Sequence, residues 1–191
     1  LFALAPSPRA HAATATHVVI SEVQLAGGST TDEFVELYNP TGSPVTLTGW
    51  RLSKKTASGT QTNLLTTFPA VSIPANGFFL VAHSTYDGSP GADAFYSTAE
   101  SLANNNTVIL YSDAGSTVVD KVGFGTATDR EGTAVANPAT NGSVERKPGA
   151  SDPTGGNGED TDDNSADFDQ RSASEPQNSA SAPETPASAT P

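Results

Sequence analysis

The sequence predicts an all-β protein, a sandwich or barrel of about eight or nine short strands. Short segments are rich in β-branched residues or alternate between two faces, as in residues 33–39, where Phe34 and Tyr38 alternate with Val35 and Leu37. Turn-forming residues separate these segments. From residue 17 to residue 147 no segment repeats with the period of a long helix.

The strand candidates follow one another at close spacing. Residues 39–42 form a turn after the second candidate, because proline presets φ at the second turn position. Residues 108–119 predict a hairpin, since apolar strands flank a short glycine loop. Two stacked sheets would bury alternate residues, and Trp50 is the largest core candidate. The candidates are residues 17–25, 33–39, 45–47, 50–53, 64–68, 78–83, 107–112, 117–122 and 143–147.

From residue 148 onward the composition changes. Residues 172–191 consist mainly of Ser, Ala, Pro, Thr and Glu, which bury too little surface to order themselves. The sequence therefore predicts a disordered acidic and Pro/Ser/Ala-rich C-terminal tail, with residues 179–191 as a linker or stalk. The folded domain is expected to span residues 13–178 and to include an acidic loop at 151–169.

The net charge of −12 is concentrated in the tail, since residues 151–191 hold nine carboxylates and one arginine, Arg171. This balance repels phosphate backbones and no basic stripe offsets it, so we expect no nucleic-acid partner. The basic pairs at 54–55 and 146–147 are interpreted as solvated strand ends. The chain has no cysteine, which excludes disulfides. No run approaches the ~20 apolar residues of a membrane span.

Residues 1–12 are interpreted as the remnant of a signal peptide. Residues 1–5 (LFALA) resemble the end of an apolar signal region, and residues 10–12 (AHA) have the small-x-small form of a cleavage site. The alternative is an alanine-rich leader that is retained. Export predicts a mature chain that begins near Ala13, and N-terminal sequencing that finds Leu1 in the exported protein would contradict it.

Several segments also match one family, in the family's order. The most specific are residues 36–40 (ELYNP) and the L-x-G-W-x-L pattern of residues 47–52; the others are residues 19–23, 73–82, 119–125 and 143–146. Residues 160–168 (DTDDNSADF) are similar to the segment that comes after the core in bacterial members. Together these segments, over about residues 17–168, resemble the lamin-tail family, which includes exported bacterial proteins.

This resemblance implies an immunoglobulin-like β-sandwich without a catalytic site. It also implies a modular setting, in which the domain is attached to other exported or surface-bound parts. The sequence lacks the coiled-coil heptads of animal lamins, so assembly into nuclear filaments is not implied.

Two sets of residues have side chains of the kinds that enzymes use in catalysis, but both are interpreted as structural. Glu22 and Glu36 could serve glycoside hydrolysis if held ~5–9 Å apart. No substrate cleft is indicated, however, and alternating strands carry polar residues on their wet face. We expect these acids to hydrogen-bond neighbouring segments. His83 lies beside Ser84 without the Gly-x-Ser-x-Gly context of a nucleophile elbow, so it is expected to be a polar strand residue.

The acidic tail carries four candidate metal ligands, Asp160, Asp162, Asn164 and Asp167. Their carboxylate and amide oxygens are the ligands that calcium prefers. The spacing imitates the start of an EF-hand loop, but the glycine and the glutamate that complete such a loop are absent. A looser calcium site and a plain solvated acidic loop are the two alternatives, and the sequence indicates no other cofactor.

These observations predict a non-catalytic, exported binding or structural module for adhesion, targeting or surface anchoring. It would be secreted or held at the bacterial envelope and would bind a protein or a glycan there. The alternatives are an accessory domain of a larger extracellular hydrolase and a spacer in a surface array. Contacts are expected in the long loops, because sandwich domains bind through loops. These loops are residues 26–32, 54–63, 84–106 and 126–142, with the aromatic residues Tyr86, Phe95 and Tyr96.

Overall fold

The computed structural model describes residues 13–148 and 155–186 of the chain. In this part, twelve strands form two main sheets and a short ribbon, with one four-residue α-helix and one 3-10 turn. The predicted signal-peptide remnant, residues 1–12, lies outside the described residues. Within the described ranges, no helix is long and apolar enough to cross a membrane.

The elements follow the chain in a simple order. They are β1 (Val19–Gln24), β2 (Phe34–Tyr38), β3 (Val45–Thr46), β4 (Arg51–Lys55), β5 (Gln61–Leu65), β6 (Ser72–Ile73), β7 (Phe78–His83), β8 (Ala94–Tyr96), β9 (Thr107–Ser112), the 3-10 turn Asp113–Gly115, β10 (Thr117–Gly123), β11 (Ser143–Arg146), α1 (Asn164–Asp167) and β12 (Phe168–Arg171).

The two main sheets face each other. Six strands form the larger sheet in the order β12-β11-β1-β2-β7-β8, and four strands form the other in the order β10-β9-β4-β5. The neighbours pair antiparallel, except that β8 runs parallel to β7. The ribbon pairs β3 with β6. This two-layer architecture is one of the two that the strand pattern predicts, and it agrees with the immunoglobulin-like β-sandwich that the family resemblance implies.

The main core lies between the inner faces of the two sheets. Val35 and Leu37 on β2 face inward and are paired with Val81 and Phe79 on β7. Burial of such a side chain contributes about 1.5–3 kcal/mol. Trp50, the predicted largest core residue, is only half-buried and packs against the edge of this core. It lies just before β4, outside the strand itself.

The strand predictions are confirmed for the central strands and incomplete at the edges. The hairpin predicted at residues 108–119 is present as β9 and β10. β5 begins three residues earlier than expected, and β6, β8 and β12 were not expected at all. These three strands are short, and β12 has only one large apolar residue. They form strands because they pair with neighbouring strands. A local sequence pattern carries no information about such pairing.

The structure corrects the prediction for the C-terminal tail. Residues 155–186 follow a defined path along the domain instead of forming a disordered tail. β12 pairs with β11, and residues 174–186, here named the strap, cross the outer face of the six-stranded sheet. The predicted linker or stalk, residues 179–191, therefore begins inside the strap, and residues 187–191 lie outside the described part of the chain.

The strap is held by polar contacts rather than by apolar burial. The backbone amide of Gln177 donates a hydrogen bond to Glu36 over 2.5 Å, and the amide of Ser179 donates to Asp93 over 2.9 Å. The acceptors lie 141 and 86 residues earlier in the chain. The composition of the strap by itself predicts disorder, because it does not contain these hydrogen-bond partners. They are contributed by the folded domain.

Candidate binding site

Three glutamates stand side by side on the outer face of the six-stranded sheet, beneath the strap. Glu145 on β11, Glu22 on β1 and Glu36 on β2 lie directly opposite one another across neighbouring strands. Glu22 is 1% exposed and Glu36 is 2% exposed. The alternating pattern predicts that this face is exposed to solvent. Instead the strap covers it and buries Glu22 and Glu36.

The two buried acids accept hydrogen bonds from the sheet and from the strap. The donors are, for Glu22, the Ser143 hydroxyl and the Glu175 amide (3.2 Å) and, for Glu36, the Ser21 hydroxyl (2.6 Å) and the Gln177 amide (2.5 Å). Burial raises the pKa of Glu22 to about 7, and the nearby charge of Glu145 raises it too. Burial likewise raises the pKa of Glu36 well above its ordinary value. These contacts support the structural interpretation of the pair, because both acids fasten the strap to the sheet.

A small pocket of about 180 Å³ opens beside this covered row. Four separate parts of the chain form it: the end of β1 with the β1–β2 loop, the β7–β8 loop, the segment before β11, and the strap. We name it the Tyr86 pocket. Its lining residues are Gln24, Gly27, Asp32, Tyr86, Gly88, Ser89, Asn141, Ser174 and Pro176.

The sheet fixes the side chains that line the Tyr86 pocket. The Tyr86 ring packs edge-on against Phe34 of β2, with ring centroids 6.0 Å apart. The Gln24 side chain donates to the carbonyl oxygen of Asp32 over 2.8 Å. The Asp32 carboxylate accepts the Gly28 amide through Oδ2 over 3.0 Å. An aromatic ring, a carboxylate and a primary amide are therefore held in one small opening.

The surroundings of the Tyr86 pocket are acidic. Burial raises the pKa of Tyr86 to about 12, and the charges of Asp32, Glu22 and Asp87 add to that increase. The other oxygen of Asp32, Oδ1, is buried and has no hydrogen-bond partner among the described residues. None of the described residues that line the pocket is a lysine or an arginine.

Three of the four loops expected to make contacts contribute to this pocket. They supply Gly27, Asp32, Tyr86 and Asn141, whereas loop 54–63 contributes none of its lining residues. The other two aromatic candidates lie elsewhere: Phe95 is 51% exposed on β8, and Tyr96 is buried. Sequence reasoning missed the strap residues Ser174 and Pro176, because their composition indicated disorder.

A larger cavity of about 590 Å³ lies between β11, β12 and the strap. Its charged side chains neutralise one another. Arg171 lies 2.8 Å from Glu145 and 2.7 Å from Glu175. None of the described residues that line it is aromatic. The Tyr86 pocket is therefore the better candidate for a ligand site, since its carboxylate has no paired cation among the described residues and an aromatic ring lines the opening.

The predicted calcium ligands do not converge on one point. Asp160 and Asp167 both face Arg146, whose Nη1 lies 3.4 and 3.7 Å from their oxygens. Asn164 points elsewhere, and its Oδ1 accepts the Gly123 amide over 2.9 Å. Asp162 is exposed, at a turn with φ of +57°. The structure thus brings two of the four together, around a guanidinium.

Over residues 13–148 and 155–186, no group of three or more acidic or histidine side chains is placed to hold a metal ion. Calcium binding by Asp160, Asp162, Asn164 and Asp167 stays a prediction. It requires a rise in melting temperature with added calcium, and a titration without heat or thermal shift would contradict it.

Arg146 is the centre of this acidic region. It is 0% exposed, so its interpretation as a solvated strand end is wrong. Its Nη2 lies 2.8 Å from Asp120 on β10, in the facing sheet, and its Nε donates to the carbonyl oxygen of Ile20 over 2.9 Å. The guanidinium also lies 4.6 Å from the centroid of the Phe168 ring. One buried cation therefore joins both sheets to the acidic segment.

The residues that were considered as candidates for catalysis line neither of the two cavities described above. Neither the 180 Å³ nor the 590 Å³ cavity is lined by Glu22, Glu36 or His83. The His83 ring is buried against Tyr96, with centroids 5.5 Å apart, and its Nδ1 lies 2.8 Å from the Thr85 hydroxyl oxygen. Ser84, its neighbour in the sequence, is exposed.

Comparison with known proteins agrees with the fold. The family model described as Lamin Tail Domain matches residues 11–126, from the predicted leader through β10. β11, β12 and the strap lie beyond the matched range, although they complete the six-stranded sheet and cover it. No curated protein matches the chain. Since the match spans more than half of the chain and the fold agrees, the protein belongs to the lamin tail domain family, a family of non-catalytic immunoglobulin-like domains.

Proposed function

We propose that this chain is an exported, non-catalytic module that binds a protein or a glycan at the bacterial cell surface through the Tyr86 pocket. Such binding would serve adhesion, targeting or surface anchoring. The observation that carries the proposal is the pocket itself, in which loops from three parts of the sandwich and the strap converge on one aromatic ring and on one carboxylate that has no paired cation in the described part of the chain.

The absence of catalysis is supported by the family and by the positions of the acids. Paired carboxylates act on a substrate only where the substrate can reach them. Glu22 and Glu36 lie under the strap and already accept hydrogen bonds from it. Export is supported by the signal-like composition of residues 1–12.

Binding through the pocket is supported by its construction. Ligand sites are concave, with a few polar groups in fixed positions on an apolar support. The support here is the outer face of the sheet, where Phe34 and Leu80 form a small buried cluster against which Tyr86 packs. Tyrosine on such a support is a frequent centre of binding energy.

We expect the Tyr86→Leu variant to bind bacterial cell-envelope fractions at least ~10-fold more weakly than the natural protein. Leucine keeps the contact with Phe34 but removes the ring from the pocket, so the fold is retained. Binding of the labelled domain is measured with untreated, protease-treated and periodate-treated envelope, which separates a protein partner from a glycan.

The matched control is Val118→Ser, which removes an exposed apolar side chain (49% exposed) from β10 in the opposite sheet. This variant should bind like the natural protein. Equal binding by the natural protein and Tyr86→Leu would contradict the proposed site. No saturable binding to any fraction would favour the structural spacer over the binding module.

A further inference from the structure

The chemistry of the Tyr86 pocket indicates which kind of group it receives. Resting on the proposed function, we infer that the pocket binds the cationic side chain of a lysine or an arginine carried by a partner protein. The inference stands on four features of the pocket: its uncompensated charge, its aromatic wall, its size and the glycines that keep it open.

The first feature is charge without a counter-ion. Asp32 lines the pocket, and Asp87 lies close enough to act on Tyr86 electrostatically. Salt bridges elsewhere on the domain, such as Lys55 with Asp129, show how this chain compensates acids with its own cations. Asp32 forms no such pair among the described residues, although it lines the opening. A cation bound in the pocket would compensate the negative charge of this carboxylate.

The second feature is the aromatic wall. A tyrosine face attracts an ammonium or guanidinium group within about 6 Å of the ring centroid. The contact with Phe34 holds the Tyr86 ring in place, so little side-chain entropy is lost when a cation settles on it. Gln24 and Asn141 lie in the same lining and can accept hydrogen bonds from the N–H groups of the cation.

The third feature is size. A volume of about 180 Å³ corresponds to roughly six water-sized groups. The stem and charged end of one lysine or arginine side chain fill such a space.

The fourth feature is the pair of glycines in the lining. A Cβ at Gly27 would overlap the Asp32 carboxylate, and a Cβ at Gly88 would overlap the Tyr86 hydroxyl. A larger residue at either position would displace the carboxylate or the ring. Both glycines therefore preserve the two groups that would hold a cation.

The charge of the whole chain favours the same partner. A net charge of −12 attracts basic surfaces and speeds their association at low salt. The binding is therefore expected to weaken as salt concentration rises, because the pocket opens to solvent.

The inference is tested with short peptides added to the isotope-labelled domain at low salt. The probes are blocked Gly-Lys-Gly and Gly-Arg-Gly, with blocked Gly-Gln-Gly and Gly-Glu-Gly as uncharged and acidic references. We expect the two cationic peptides alone to shift the backbone amide signals of Gly27, Gly88 and Asn141. The Asp32→Asn variant should weaken this binding about 5- to 10-fold.

Asp113→Asn is the matched control, because it removes an exposed carboxylate from the 3-10 turn between β9 and β10. It should leave the peptide affinity unchanged. Equal binding of the glutamine peptide, or no effect of Asp32→Asn in a variant whose other signals are unmoved, would overturn the inference. Methyl glycosides that shift the same amides in place of the cationic peptides would overturn it too, while the proposed binding function would stand.

Discussion

Replacement of Arg146 with methionine is expected to lower the free energy of unfolding by about 3–5 kcal/mol, because it breaks a buried ion pair by removing one partner. Asp120 on β10 is 2% exposed, and Asp167 in α1 is 0% exposed. Without the guanidinium, both carboxylates would stay buried with no cation beside them. The carbonyl oxygens of Ile20 and Glu159 would also lose their donors.

The effect is measured by chemical denaturation of Arg146→Met and of Arg51→Met. Arg51 is only half-buried, and its Nε donates a 3.4 Å hydrogen bond to the Thr66 carbonyl oxygen. Its loss should cost well under about 1 kcal/mol. Arg146→Lys is expected to fall between the natural protein and the methionine variant, because an ammonium keeps the charge but cannot match the guanidinium fork. If Arg146→Met is as stable as Arg51→Met, the buried guanidinium of Arg146 does not hold the two sheets together.

Stability is expected to fall as the pH rises from about 5 to 8.5, because the folded protein keeps a proton on Glu22 that the unfolded chain releases. The pKa of Glu22 is raised by burial to about 7, from an ordinary value of 4.5. This contribution to folding is complete below pH 4.5 and is lost as the pH rises through 7. At 1.36 kcal/mol per pKa unit, it amounts to about 3 kcal/mol. The charged groups that act on Glu22 are Glu36, Glu145 and Arg171.

The Glu22→Gln variant isolates this effect. A glutamine Oε1 accepts the hydrogen bonds from Ser143 and Glu175 that Glu22 accepts through its Oε1. We expect the variant to be more stable than the natural protein at pH 8.5 and to show a flatter dependence on pH. Denaturation midpoints between pH 5 and pH 8.5 measure the slope, and Asp113→Asn, an exposed acid, should leave it unchanged. An unaltered slope in Glu22→Gln would assign the pH dependence to other acids.

The strap connects this acid row to the proposed ligand site. The Glu175 amide is bonded to Glu22, and the residues on either side of Glu175, Ser174 and Pro176, line the Tyr86 pocket. When Glu22 ionises, keeping its charge buried costs free energy. This cost favours movement of the strap, which covers Glu22. The same segment of the strap therefore contacts the row of glutamates and forms one wall of the Tyr86 pocket.

The central strands could be predicted from the sequence for a local reason. In β2, Val35 and Leu37 alternate with residues of the other face, and this period of two does not depend on distant parts of the chain. The β9–β10 hairpin has its turn residues between its own strands. The family resemblance rests on the same local segments, such as residues 36–40 and 47–52, and the family match confirms it.

The candidate site could be predicted only as a set of loops. Tyr86 and Asp32 lie in loops expected to make contacts, but nothing local places Ser174 beside them, since about ninety residues separate it from Tyr86 along the chain. The calcium hypothesis had a similar limit. The spacing of the acids in residues 160–167 can be seen in the sequence. The cation that faces Asp160 and Asp167 is Arg146 on β11, which this local spacing does not indicate.

The all-β sandwich, its inner core and its family could be predicted from local patterns, because alternation and turn residues act between neighbours in the chain. The covering of the outer face depends instead on contacts between segments that are far apart in the chain. Glu22 and Glu36 occupy positions that the period of two assigns to solvent, and they are buried because the strap crosses them. Arg146 stands in a basic pair and is buried because acids from two distant segments surround it. A local pattern shows which side chains share a face, but not which distant segment packs against that face.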